Sequence, residues 1–285
     1  MGIAFLIMFW YTEIKEVIEM ARTHSWASKG LTEHPLEANL TDTHIHSSYE
    51  LFVLLAGDIE YQVEGTVYTP APGDILLTKI GEAHKVSAKT DRPYERIWIY
   101  FSEDMVVGSG KQTVLHFLNG RPLGEHNLFK SSSFPGNNWM FYVNQILKDN
   151  DREKRELYIS VLLREMAETL ENNGQMPAVK KMGTVTEIAN YISAHLSQSL
   201  STQSLCNRFY ISSAQLNRKF KTYAGVTVWE YITNKRLLLA QNLLQTGDSP
   251  VVVCAKVGFN NYTTFYRAYK QKFGISPKED MPYKP

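Results

Sequence analysis

The chain has 285 residues, 30 Lys+Arg against 29 Asp+Glu, and a formal net charge of +1. That length accommodates two domains, each with its own core, and 44% hydrophobic with 21% charged residues is the composition of a globular protein rather than a disordered or membrane one. Near-neutrality conceals an asymmetry: residues 1–182 hold 18 basic and 24 acidic side chains, net −6, whereas residues 183–285 hold 12 and 5, net +7. A basic segment beside an acidic one is the footprint of a polyanion-binding part, although a charge run alone more often marks a solvated surface. With only Cys206 and Cys254 and no Cys-x-x-Cys, neither a disulfide scaffold nor a zinc finger is expected, and both cysteines read as small core residues.

Met1 to Trp10 is apolar throughout. Ten residues are too few to cross a bilayer, no Lys or Arg precedes them, and no small-residue cleavage site follows. Residues 1–30 are therefore read as an N-terminal arm or helix, with Ile3 to Ala21 packing on its own domain or on a partner and carrying no compartment signal; the protein is expected to be cytoplasmic, with no membrane partner.

Residues 31–130 change character. Short β-rich runs alternate with turns: Leu51 to Ala56 before Gly57-Asp58, Ile59 to Val63 before Glu64-Gly65, Val67 to Thr69 before Pro70-Ala71-Pro72-Gly73-Asp74, then Ile75 to Thr78, Lys85 to Ser87 and Arg96 to Phe101. Strands at this spacing predict a small barrel or sandwich. Alternation puts His44 and His46 on one face, pointing inward. The arrangement His44-x-His46-x-x-x-Glu50, Gly57, Pro72-Gly73-Asp74 and His84 resembles a cupin barrel of the kind that AraC-type regulators carry as a sensor. Metal-dependent cupins use this set as ligands, so the resemblance makes His44, His46, Glu50 and His84 candidates for a divalent first-row ion. The other reading is that the same groups hydrogen-bond a small polar ligand or one another, with Tyr61, Tyr94 and Trp98 as wall or stacking residues. Lys79 and Ala88 depart from the second cupin motif, where Pro and Asn are usual. On this reading the protein has no resident cofactor, and the metal is the alternative.

From Ser102 the pattern turns helical. Residues 131–138 form a loop, and residues 131–175 hold two helices. Leu157, Val161, Leu162, Met166 and Leu170 form one stripe, suited either to packing on the barrel or to dimerisation. Asn172 to Pro177 reads as a hinge, and residues 176–183 as the interdomain linker.

The last hundred residues contain one pattern twice. Arg218-Lys219-Phe220-Lys221, three residues and Gly225-Val226-Thr227 recur 49 positions later as Arg267-Ala268-Tyr269-Lys270, three residues and Gly274-Ile275-Ser276. Such self-similarity means one unit built twice. Each copy reads as helix, turn, helix: Ser212 and Asn261 are placed as N-caps, Gly225 and Gly274 as left-handed C-caps. Val228 to Thr246 has no internal Gly or Pro and predicts one long connecting helix. Helix–turn–helix pairs set their second helix in the major groove.

Ile188 to Pro277 closely resembles the DNA-binding domain of AraC-type transcription regulators, on Arg218-x-Phe220-Lys221, Arg236 with Ala240 and Leu243-Leu244, Val257-Gly258-Phe259, Phe265-x-Arg267 and Gly274-Ile275-Ser276-Pro277. Val251 to Cys254 departs from the family's usual Ile-x-Glu-Ile-Ala. The resemblance places Ala214, Gln215, Asn217 and Arg218 of the first unit, and Tyr262, Thr263, Thr264 and Arg267 of the second, towards the groove. Lys219, Lys221, Lys235, Arg236, Lys270 and Lys272 are the candidates for phosphates. The expected fold is α+β in two domains: a cupin-like, double-stranded β-helix barrel with following helices, and an all-α domain at 184–285 with two helix–turn–helix units on a long connector. The expected function is sequence-specific transcription regulation, with double-stranded DNA, a small-molecule effector (carbohydrate being the favoured class), a second copy of the chain and RNA polymerase as partners, and no enzymatic activity. The rivals are a metal-dependent cupin enzyme tethered to DNA and an effector-independent DNA binder.

Overall fold

The computed structural model describes residues 26–37, 40, 43–134, 136, 138–173 and 183–281. The arm over Ile3 to Ala21, and the hinge and linker from residue 174 to 182, lie outside the described residues. Among the described residues eight strands form two sheets. β1 (Trp26–Thr32), β7 (Tyr94–Phe101), β2 (Tyr49–Ala56), β5 (Ile75–Thr78) and β8 (Leu128–Phe129) lie in that spatial order, while β4 (Thr66–Tyr68), β3 (Ile59–Val63) and β6 (His84–Ala88) make the second sheet. Every ladder is antiparallel.

The barrel begins earlier than expected. Trp26–Gly30, assigned to the arm by sequence, pairs with β7 as an edge strand. Its sequence is poor in β-branched residues, so pairing rather than propensity places it. Gly30 matters here, because a Cβ would lie 2.8 Å from the Trp98 ring.

Alternation along the strands divides two cores. Tyr49, Leu51 and Val53 of β2, with Ile97, Ile99 and Phe101 of β7, face outward onto helices. Glu50, Phe52 and Leu54 face the space between the sheets, among Ile59, Tyr61, Val63, Val86 and Tyr94. The covering helices are α1 (Lys111–Gly120), α2 (Trp139–Lys148) and α3 (Arg152–Asn173). The stripe expected on α3 is rotated: Ile159, Leu162, Leu163, Met166 and Ala167 are core, while Leu157 and Val161 remain 54% and 39% exposed.

The second domain has six helices among the described residues: α4 (Thr184–Ala194), α5 (Thr202–Phe209), α6 (Ser213–Ala224), α7 (Val228–Gln245), α8 (Pro250–Lys256) and α9 (Tyr262–Phe273). Ser212 and Gln215 form a capping box at α6, the Asn261 side chain accepts from the Thr264 amide at α9, and Gly225 and Gly274 close the two helices at φ 70° and 73°. Cys206 and Cys254 are buried thiols on α5 and α8. No helix among the described residues is long and apolar enough to cross a membrane.

Candidate functional site

Two constellations stand apart from the cores. The first is the outer face of α6 and α9. Ala214, Gln215, Arg218 and Lys221 are exposed on α6, as are Tyr262, Thr263, Thr264, Arg267 and Lys270 on α9, with Lys219 half-buried. The same helices bury Leu216, Phe220 and Tyr223, and Phe265, Tyr269 and Phe273, on their inner faces. Each recognition helix is thus held by a periodic apolar stripe, and its polar N-terminal half is free for a groove.

Four expected DNA contacts are placed otherwise. Arg236 is 4% exposed; its Nε donates to Leu196 O at 3.0 Å and its Nη2 to Gln198 O at 2.7 Å, so it ties α7 to the segment that follows α4 instead of a phosphate. Gly258 lies against it, where a Cβ would meet the guanidinium at 2.9 Å. Asn217 is half-buried and its Oδ1 accepts from the Val228 amide at 3.3 Å, which engages the carboxamide oxygen at the start of α7. Lys235 is 7% exposed and paired with Glu64 of the barrel. The Lys272 ammonium, half-buried, donates to Asn234 at 3.2 Å. Spacing alone could not separate these side chains from the exposed basic ones, because each partner lies far away in sequence or in a turn.

The second constellation lies between the two sheets. His44, His46, Glu50 and His84 each offer one ligand atom, and these atoms all lie within 4.8 Å of one another. His46 Nε2 is 2.9 Å and His84 Nε2 3.2 Å from the same oxygen, Glu50 Oε2, and the Tyr61 hydroxyl donates to Glu50 Oε1 at 3.3 Å. The His44 and His84 rings meet at 4.1 Å between centroids. His44 reaches the barrel through reciprocal backbone hydrogen bonds with His84 of 3.0 and 3.1 Å. Burial opposes the charge on Glu50, but hydrogen bonds from His46 and His84 outweigh it and hold the carboxyl well below its usual range. Burial also disfavours the His84 cation, yet the Glu50 carboxylate raises its pKa; at His46 burial prevails and the pKa is lowered. The surroundings thus favour the carboxylate form of Glu50 and push the two histidines in opposite directions, His84 towards the cation and His46 towards the neutral ring.

Tyr94, also expected here, is buried in the same interior, stacked on Phe52 at 6.4 Å. Trp98 is half-buried on the same face of β7, under the Arg96 guanidinium. Two residues were missed. Tyr100 stands edge-on to His46 at 5.0 Å, and the Thr78 hydroxyl lies 3.4 Å from that of Tyr61. Tyr100 was legible, being two positions beyond Trp98 on one strand; Thr78 depends on the pairing of β5 with β2, Glu50 standing opposite Thr78.

A polar site inside a barrel, joined to two duplicated helix–turn–helix units with open recognition faces, defines a two-domain, DNA-binding regulator with its own ligand-binding domain. Residues 32–128 match the AraC-like ligand binding domain and residues 205–281 a helix-turn-helix domain. The chain belongs to the AraC-type transcription regulators. It is 24% identical over 250 residues to the thermoregulatory protein LcrF of Yersinia pestis, covering 82% of this chain and 89% of that one. It is 28% identical over 269 residues to the arabinose operon regulatory protein of Escherichia coli, covering 88% and 87%. A solved structure of ToxT from Vibrio cholerae with bound unsaturated fatty acid aligns over 90% of this chain and 94% of that one, at 13% identity and a TM-score of 0.40.

Proposed function

We propose that the barrel binds a small hydroxyl-rich effector, a carbohydrate being the favoured class, and that the effector controls sequence-specific DNA binding by a homodimer in the cytoplasm. One observation carries the effector site: a buried carboxylate with three imidazoles and a tyrosine hydroxyl converging on one point between the sheets. Carboxylate oxygens accept from hydroxyls, and imidazole donates or accepts according to its protonation, so the set can bracket a sugar edge. The similarity to the arabinose operon regulator supports the same class. The relatives are transcription regulators, which favours a sensor over an enzyme. Phe141 and Leu157, both 54% exposed on neighbouring helices, with Val161, supply an apolar face for a second copy, and sedimentation at several concentrations tests it.

The test is a Glu50→Gln/His84→Ala double variant, assayed by thermal shift against a panel of monosaccharides and in a transcription reporter. Loss of both responses is expected. Retention of both places the effector elsewhere, and a parent protein that responds to no ligand returns the reading to an effector-independent DNA binder.

The spacing of the ligand atoms favours a second reading. An ion held at about 2.0–2.2 Å keeps its ligands within roughly 4.4 Å of one another, so the observed span needs a contraction of only a few tenths of an ångström. His44, His46, Glu50 and His84 would hold the ion, which would supply an electrophilic centre for an oxygen ligand. Elemental analysis of the purified protein decides this: stoichiometric metal, lost in Glu50→Gln, establishes the ion, and turnover of a substrate with it would establish an enzyme.

A further inference from the structure

The turn between β3 and β4 holds a residue that the barrel itself does not explain. Glu64 sits at φ 45°, left-handed backbone that glutamate rarely adopts, and it is fully buried. Its carboxylate faces the other domain. Oε1 accepts from Lys235 Nζ at 2.8 Å and from the Ala83 amide at 3.0 Å, and Oε2 accepts from the Tyr231 hydroxyl at 2.7 Å. Tyr231 and Lys235 lie one helical turn apart on α7. Two residues before Glu64, Gln62 Nε2 donates to the Thr222 and Tyr223 carbonyls at the end of α6.

Apolar contacts surround this charge. Ala83 is buried within the core of the first helix–turn–helix unit, and Ile45 packs against the cores of both units. A Cβ on Gly225 would lie 2.6 Å from that of Thr43. Thr43 and Ile45 therefore face the helices, while their neighbours His44 and His46 face the buried cluster. Ala83 and His84 divide the same way. The two sides share one layer of backbone: His44 and His84 exchange hydrogen bonds, and the Glu64 amide donates to Ala83 O at 2.7 Å.

We infer that Thr43, Ile45, Gln62, Glu64 and Ala83 form the surface by which the state of the His44–His46–Glu50–His84 cluster is transmitted to the DNA-binding domain, with Glu64 as its anchor on α7. This rests on the cluster being the effector site. A ligand that shifts the backbone carrying these imidazoles is felt in the other domain, because the other face of that backbone is packed on α6 and α7. Removing either partner alone leaves the other charge buried and unpaired, which is strongly destabilising. The grip is therefore stiff. α7 joins the two helix–turn–helix units, so a change of grip alters their placement, while the exposed halves of α6 and α9 remain uncovered.

The test needs no effector. Hydrogen exchange of the full chain is followed at the amides of Tyr231 to Leu238, with β2 and β7 as internal controls for barrel folding. Glu64→Gln is expected to speed exchange in α7 at least tenfold with the controls unchanged, and Glu64→Gln/Lys235→Met to recover most of that protection by removing the orphaned cation. Glu50→Gln, which keeps the shape of the cluster, and His84→Ala are each expected to change α7 exchange as well. Combined with Glu64→Gln, each should add little, because the grip is already lost. The inference is overturned if α7 is unaffected by Glu64→Gln, if neither cluster variant changes α7 exchange, or if the cluster and turn effects simply add. Failure of the effector reading shows separately, in the thermal-shift panel, where Glu64→Gln should still bind whatever the parent binds.

Discussion

Arg236→Ala separates a structural arginine from a DNA-binding one. The guanidinium gives two charge-assisted hydrogen bonds to the carbonyls of Leu196 and Gln198, at 3.0 and 2.7 Å, and is almost fully buried. Such bonds contribute roughly 1.5–3 kcal/mol each, and part of that returns when water reaches the freed carbonyls. A net loss of about 3 kcal/mol is expected, enough to lower the melting point of a domain this size by more than about 10 °C. Arg236→Lys should recover little, because a point ammonium cannot serve two carbonyls from one planar fork. The assay pairs urea unfolding of the full-length variants with anisotropy measurements across a salt series, on duplex DNA selected from a random pool. The slope of log affinity against log salt should match the parent, since no phosphate contact is removed. A stability within about 0.5 kcal/mol of the parent together with a slope reduced by about 1 would refute the assignment and return Arg236 to the phosphate backbone.

Arg218→Ala, on an exposed face of α6, should cost about 1–3 kcal/mol on the preferred DNA and relax selection at one base position; equal weakening on all sequences would make it a phosphate clamp. Lys221→Ala with Lys270→Ala should lower the salt slope by about 2 without changing the selected sequence, and an unchanged slope would remove both from the interface. Gly258→Ala should destabilise the DNA-binding domain, because its Cβ would meet Leu196 O at 2.5 Å in a backbone at φ 85°; a melting point equal to the parent's would show that the turn can shift. Glu50, with a lowered pKa, stabilises the barrel above its ordinary value of 4.5, and this is lost as pH falls through the folded-state value. His84, with a raised pKa, contributes fully below 6.5 and loses its contribution as pH rises through the elevated value. His46, lowered, erodes stability below 6.5. The gap in melting point between the parent and Glu50→Gln should therefore be larger near pH 6 than at pH 9, and a gap that widens with alkalinity would contradict this charge assignment.

Much of the molecule was legible from local patterns. The duplicated unit, its caps at Ser212 and Asn261 and its left-handed glycines at Gly225 and Gly274 are properties of adjacent residues, so spacing reveals them. The same holds for the inward alternation of His44 and His46, whose chemistry follows from period two. The rest depended on partners that no local period encodes. Arg236, Lys235, Asn217 and Lys272 are indistinguishable in sequence from their exposed neighbours; carbonyls and a carboxylate elsewhere in the fold bury Arg236 and Lys235, and an amide and an asparagine hold Asn217 and Lys272 half-buried. Glu64-Gly65 was readable as a hairpin, which places the chain reversal, but the destination of its carboxylate lies 171 residues away on α7. Sequence periodicity determines which face of an element is apolar. Only tertiary packing, within each domain for Arg236, Glu50 and His84 and between the domains for Glu64 and Lys235, decided which charges are buried, because desolvation is a property of the whole surround and not of the residue.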